Sequence, residues 1–262
     1  MGQSSTSTPR ADYGVDAPPV IRNLLLASGA AAAAAVVLHF LGLASPAGVP
    51  LREILLVTAL NFLAVTGAMV WYSKVGKLRG RERVLDLVPW RGDETVLDVG
   101  CGRGLFLVGA AKRLTTGRAV GVDLWQSEDL SGNRPEATVE NARREGVAER
   151  VEVRDGDARQ LPFPDASFDV VVSSLALHNI YDRQGREQAV REIARVLRPG
   201  GRVAVVDIRH TDEYARVLAA SGLTDVRRCA SVLGRLVMVW TWGGVRPFRV
   251  LGRKPTLPAA AP

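Results

Sequence analysis

A chain of 262 residues, 47% of them apolar and 23% charged, is large enough for one sizeable domain of ~100–200 residues plus an appendage. Its formal net charge of +7 comes mostly from arginines scattered along the whole length, with no basic stripe carrying interleaved aromatics, which argues against nucleic-acid binding. Two cysteines, Cys101 and Cys229, exclude a disulfide framework, and three widely separated histidines give no metal-ligand spacing, so no metal is expected.

Residues 1–20, rich in Ser, Thr, Pro and Ala without apolar periodicity, are expected to form a disordered tail. From Leu24 to Leu43 the chain is uncharged, long enough as a helix rising ~1.5 Å per residue to cross a bilayer core ~30 Å thick. A Pro/Gly-containing link, "ASPAGVPLRE", leads to a second uncharged run from Ile54 to Tyr72, which ends in Trp71-Tyr72, side chains that favour the membrane interface. Ala64 and Ala68, one helical turn apart with Gly67 beside them, would let a second helix approach closely. Residues 21–73 are therefore expected to form a two-helix transmembrane hairpin, with spans at about 24–43 and 54–72. A cleaved signal peptide and a buried helical pair in a soluble fold are the competing readings. Lys74, Lys77, Arg79, Arg81 and Arg83 follow the second run, whereas the link carries only Arg52 beside Glu53. This asymmetry places both termini in the cytoplasm, in a multi-pass cell-membrane protein whose basic cluster rests on anionic headgroups.

Beyond about Arg81, helical and strand patterns alternate, the signature of parallel strands joined by helices. "TVLDV" at Thr95–Val99 is a nearly all-apolar run, as a strand buried on both faces requires. "LFLVGAAKRL" at Leu105–Leu114 reads as a helix. Between them Gly100, Gly102 and Gly104 allow a tight turn and leave space for a ligand against the main chain. A dinucleotide fingerprint would have glycine where Leu105 stands, and no G-K-[ST] phosphate loop is present. Asp98, at the strand end, would repel a pyrophosphate and attract an ammonium group. The expected ligand carries an amine.

"VLDVGCGRG" resembles motif I of the class I S-adenosylmethionine-dependent methyltransferases, and further motifs of that family follow in order from about Leu78 to Pro255. The resemblance implies an α/β fold with a Rossmann-like, doubly wound, mostly parallel seven-stranded sheet over residues 74–255, preceded by the hairpin and followed by a tail at 256–262. It implies S-adenosyl-L-methionine as cofactor, held at Asp98, Gly100, Cys101, Gly102 and Gly104. Asp123, ending "RAVGVDL", would accept hydrogen bonds from the ribose hydroxyls, with Leu124 near the adenine. Asp157 and Ala158, in "VEVRDGDARQLPF", occupy the position that reads the adenine edge. "FDVVVSSLALHNI" resembles motif IV and adds Ser173 to the cofactor set, while "RVLRPGGRVAVVDI" resembles the helix, turn and fifth strand that come next.

His178, just beyond the fourth strand, is the candidate general base; a hydrogen-bonded structural histidine or an adenine-side contact is the alternative. This stretch is similar to that of the ubiquinone and menaquinone C-methyltransferases, in which an Arg-Asn pair stands in place of His178-Asn179, a departure that counts against a quinone precursor. Asn179 and Tyr181 would orient the acceptor, and Asp182 would cap the next helix. His210 is a second candidate base, set against a reading in which Thr211 caps a helix from Asp212 to Ala220 and His210 is an exposed linker residue. Trp240 and Trp242 suit core or edge packing, an acceptor pocket or a membrane-facing rim. With no large insertion after the fourth or fifth strand, the expected acceptor is a small molecule, lipid- or quinone-like. The expected protein is a membrane-anchored methyltransferase; its rival is a membrane-tethered, non-catalytic module of the same fold.

Overall fold

A computed structural model describes residues 10–42, 50–230, 235 and 247–256. These form two compact units, one comprising Gly14–Arg79 with Gln126–Gly132, the other the remainder.

In the first unit, α1 (Pro18–Phe40) opens on two prolines, tolerated in a first turn because their missing N–H groups would have no helical partner. The second helix, α2 (Leu51–Trp71), does not stop at the expected Tyr72: it passes through one π-type turn (Tyr72–Gly76) into α3 (Lys77–Leu85). Both α1 and the continuous helix from Leu51 are long and apolar enough to cross a bilayer. Large apolar side chains such as Leu26, Val57, Leu60 and Phe40 point outward, the last 82% exposed. The two helices meet elsewhere than expected. Ala35, Ala59 and Thr66 are buried, and Ser28 Oγ donates to the Ala59 carbonyl at 2.8 Å, whereas Ala64, Gly67 and Ala68 are exposed.

Residues 10–17 are not a disordered tail. The Val15 N–H donates to Ser131 Oγ at 2.7 Å, the Ala17 N–H donates to the Asp129 carbonyl at 3.0 Å, and Asp16 accepts from Ser73 Oγ and Lys77 Nζ, each at 3.0 Å. Composition conceals these bonds because every partner is distant in sequence. Lys77 is thereby buried, as is Arg81 in the second unit, so the basic cluster presents Lys74, Arg79 and Arg83 to its surroundings.

The second unit contains β1 (Thr95–Val99), α4 (Leu105–Ala111), β2 (Arg118–Asp123), α5 (Pro135–Arg144), β3 (Val151–Asp155) and β4 (Phe168–Ser174). It continues with α6 (Arg183–Val196), β5 (Leu197–Asp207), α7 (Thr211–Ala220), β6 (Thr224–Ala230) and β7 (Phe248–Arg253). The strands form the expected seven-stranded sheet, in the order β3-β2-β1-β4-β5-β7-β6. Neighbouring strands from β3 to β5 run parallel, and β7 is antiparallel to both β5 and β6. After β1 the chain moves outward through β2 and β3 and then crosses to β4 on the other side, so the switch point lies between β1 and β4, where open α/β sheets bind ligands. Leu97, Val171, Val203 and Val250 from the sheet pack with Ile193 of α6 and Leu218 of α7 in one core.

An N-terminal strap is stitched to this unit. The Asn141 side chain on α5 accepts from the Asp12 N–H and donates to the Asp12 and Arg103 carbonyls, all at 2.9 Å. Arg103, inside the glycine loop, donates from Nε to the Asp12 carbonyl at 2.8 Å, and Tyr13 is buried beneath the Arg81 guanidinium. Replacing Asn141 by Ala removes all three of its bonds to the strap and the glycine loop, leaving Arg103 Nε to hold the Asp12 carbonyl. Asn141→Ala is expected to lower stability by about 1–3 kcal/mol, read from the urea midpoint of the purified full chain, and to speed trypsin cleavage after Arg10.

Candidate active site

At the carboxyl edge of the sheet the glycine loop folds back onto β2. The N–H groups of Gly100 and Cys101 both donate to the Val122 carbonyl, at 2.8 and 3.0 Å, that of Gly102 donates to Asp123 Oδ2 at 2.7 Å, and that of Gly104 to the Cys101 carbonyl at 2.8 Å. A phosphate-binding loop would aim such groups at the ligand. Here they are consumed within the protein.

Gly100, at φ +70°, abuts the segment that follows β4: a Cβ there would collide with the Cβ of Ala176. Gly104, at φ +84°, admits no side chain either, since a Cβ would lie 2.8 Å from Thr138 Cγ2. Cys101 is buried, which pushes its thiol well above the usual range, so this residue offers a ligand its backbone and no thiolate.

Beneath the loop, both carboxyl oxygens of Asp98 are sealed from solvent and meet no donor in good hydrogen-bond geometry; the Leu107 N–H lies toward the carboxyl and favours its charged form, while Asp123 opposes it. Burial pushes this carboxyl up to about 8. A group left in that state is a poor structural element and a good receptor for a cation that supplies N–H donors. The residues present therefore fit a ligand with an ammonium group.

Asp123 is engaged more fully than its expected ribose role requires. It accepts from the N–H of Gly102 and of Trp125, each at 2.7 Å, and from Asn133 Nδ2 at 3.2 Å. A carboxylate has about four acceptor directions, so a second ribose hydroxyl would displace the longest of these bonds. Leu124 is exposed. Trp125, which the sequence reading passed over, sits at φ +60° with its indole N–H on Asp155 at 2.6 Å, placing an aromatic ring beside Asp123. Asp157 is paired with Arg159, whose Nε and Nη2 donate to it at 2.9 and 2.6 Å; those bonds hold its carboxyl below the usual range. Ala158 packs against the core. Ser173 is fully buried and donates to the Val99 carbonyl at 2.8 Å, so its hydroxyl ties β4 to β1.

His178 lies in a short 3-10 turn (Leu177–Asn179). Its Nδ1 is 2.6 Å from Asp207 Oδ1, and its backbone N–H donates to Asp207 Oδ2 at 3.1 Å. The Nδ1 contact is short, yet the ring N–H does not point along it, an alignment that a small ring rotation would supply. Asp207 closes β5 in the same way that Asp98 lies at the end of β1 and Asp123 closes β2. That repeated pattern of an acid ending an apolar run was the signal available in "VAVVDIRH".

Tyr181, expected to orient the acceptor, is 95% exposed. Asp182 caps α6 as expected, accepting from the Gly185 N–H at 2.5 Å. Arg186 on α6 is buried with Glu213 and donates to the carbonyls of Ile180 and Tyr181, at 2.9 and 2.8 Å, which anchors the segment after His178. Thr211 is the first residue of α7 and is buried, while His210 occupies the N-cap at φ +57° without a side-chain capping bond. Trp240 and Trp242 lie outside the described residues.

The switch-point loop, the strand-end acids and the sealed Asp98 define a class of domain: a Rossmann-like α/β sheet whose carboxyl edge fits a ligand with an ammonium group. Residues 97–205 match the family model described as "Methyltransferase domain". Over these residues the chain is similar to methyltransferase domains. It is 38% identical to the 27-O-demethylrifamycin SV methyltransferase of Amycolatopsis mediterranei over 48% of this chain and 43% of that one. It is 31% identical to the demethylmenaquinone methyltransferase of Lactiplantibacillus plantarum over 51% and 53%, so the chain spans about half the length of the relatives it matches. Among solved structures, a geranyl diphosphate methyltransferase in complex with SAM superposes with TM-score 0.54 at 19% identity, over 74% of this chain and 90% of that chain, a likeness of fold.

Two outcomes follow for the loop. Gly100→Ala is expected to abolish ligand binding and to destabilise the protein, because the added Cβ meets Ala176 in a conformation that already disfavours side chains. For Asp98, the folded protein retains between about pH 4 and about pH 8 a proton that the unfolded chain has released, so this group's contribution to stability is fully present below that window and falls by about 1.4 kcal/mol per pH unit across it. Asp98→Asn removes this term. Its melting temperature relative to wild type, without ligand, is expected to rise steadily from pH 5 to pH 8.

Proposed function

We propose that the protein is a membrane-anchored, S-adenosylmethionine-dependent methyltransferase that modifies a small lipophilic acceptor, with its catalytic domain on the cytoplasmic side. The observation that carries the cofactor is the sealed Asp98 carboxyl beneath a loop whose Gly100, Cys101, Gly102 and Gly104 N–H groups are all used within the protein. The bound cofactor supplies a methyl group on a positively charged sulfur.

Asp98 would hold its ammonium group, Asp123 its ribose hydroxyls, and Asp157 with the Ala158 backbone its adenine edge, with Leu124 and Trp125 as apolar neighbours. The protein's contribution is position and a dry setting, since the cofactor carries the reactive bond. A small acceptor is supported by the names of the relatives, which act on a rifamycin and on a menaquinone precursor. A lipophilic one is supported by α1 and α2, whose exposed apolar side chains suit a lipid environment. Lys74, Arg79 and Arg83, exposed directly after the apolar run, support the cytoplasmic orientation.

Calorimetry on the full chain in detergent tests the cofactor assignment. S-adenosylhomocysteine is expected to bind with proton release near pH 7, because its ammonium group converts a protonated Asp98 into a carboxylate. Asp98→Asn should weaken binding at least about tenfold, or ~1.4 kcal/mol, and remove the proton release. Absence of binding to the wild type would overturn the proposal.

A further inference from the structure

Asp207 is a fully buried carboxylate with no lysine or arginine partner among the described residues. It is satisfied by other donors: the Ile208 N–H at 2.7 Å on Oδ1, and the His178 N–H at 3.1 Å and the Tyr214 hydroxyl at 3.3 Å on Oδ2. Burial and the neighbouring carboxylate push the Tyr214 phenol far above its usual range, so it stays protonated and remains a donor. His178 Nδ1 faces the remaining direction, 2.6 Å from Oδ1, in an orientation that a turn of the ring converts to a hydrogen bond.

A carboxylate only accepts, and two lone pairs at that separation would repel. The ring proton must therefore sit on Nδ1, which leaves the lone pair on Nε2. Nδ1 is sealed from solvent, whereas the ring as a whole keeps 18% of its side-chain surface exposed, and no hydrogen bond engages Nε2 among the described residues. Backbone and ring are both held by one carboxylate, and Arg186 anchors the carbonyls of the next two residues past Asn179. The base is fixed in tautomer and in place, two residues beyond the Ala176 that backs the glycine loop.

We infer that His178, positioned by Asp207, is a general base for an acceptor hydroxyl, so that the methyl group is transferred to oxygen. This inference rests on the methyltransferase reading above. Amines are nucleophilic as free bases and thiols ionise readily; a neutral hydroxyl is the acceptor that needs a base, and in an alcohol oxygen is the one atom that deprotonation activates. In the step, the acceptor O–H bond breaks and its proton goes to Nε2. An oxygen lone pair forms the new O–CH3 bond, and the pair of the broken C–S bond stays with sulfur. The positive charge of the sulfonium ends on the His178 imidazolium, 2.6 Å from the Asp207 carboxylate.

Two measurements on the full-length protein in detergent test this. Histidine 15N NMR without cofactor, with His178 assigned from His178→Gln, is expected to show the Nδ1–H tautomer in the wild type and its loss in Asp207→Asn. Incubation of 13C-methyl S-adenosylmethionine with an organic extract of cells that carry the protein is expected to yield a product with a methoxyl carbon resonance. His178→Gln and Asp207→Asn should each lower kcat by about 10²–10⁴-fold, with S-adenosylhomocysteine affinity within about twofold of wild type and the acid limb of the kcat/KM profile lost. An Nε2–H tautomer in the wild type overturns the inference, as does label on carbon or nitrogen, or no labelled product from a protein that binds S-adenosylhomocysteine. Should Asp207→Asn fail to fold, His178→Gln and the wild-type tautomer still decide. Failure of S-adenosylhomocysteine to bind the wild type sinks the methyltransferase reading itself.

Discussion

The carbonyl of Val122 receives two hydrogen bonds from the glycine loop, and Asp123, the next residue, receives a third. That stitch binds the turn after β1 to the end of β2, and the rest of the carboxyl edge is arranged around it. It uses the N–H groups of Gly100, Cys101 and Gly102, which would otherwise greet an anion, and it closes the turn over Asp98. Gly100 then comes so near Ala176 that the segment leading to His178 is seated against the same loop. Ligand choice and placement of the candidate base thus descend from one backbone arrangement that only glycines permit.

The strand-end acids show how location sorts one side-chain type into different tasks. Asp98 is sealed without a well-placed donor, a state that favours its neutral form until a cation arrives. Asp123 and Asp207 each accept three hydrogen bonds and serve as fixed acceptors, one for a loop and one beside a histidine. Asp157 is held by a neighbouring arginine. Each difference arises from which donors the adjacent strands and turns bring within reach.

Much of this was legible in residue order. The alternation of apolar runs and helical patterns, the spacing of Gly100, Gly102 and Gly104, and an acid before the turn pointed to the sheet and to its ligand. The two apolar runs announced helices of bilayer-spanning length, but their mutual contact falls at Ala35, Ala59 and Thr66 rather than at the small residues Ala64, Gly67 and Ala68. A low-complexity composition hid the strap at Asp12 and Tyr13, whose partners Asn141, Arg103 and Arg81 lie on remote elements. Ser173 reads as a site hydroxyl in sequence and proves to be a strand tie.

The sequence by itself determined the Rossmann-like class, the glycine loop and its exclusion of phosphate ligands, because turn geometry and charge are local properties of a few adjacent residues. Only the tertiary structure decided that Asp98 is sealed without a well-placed donor, that Lys77 and Arg81 point inward, and that His178 is held by Asp207. The reason is that burial and pairing depend on groups brought together from distant parts of the chain, and β4 and β5 meet only once the sheet has formed.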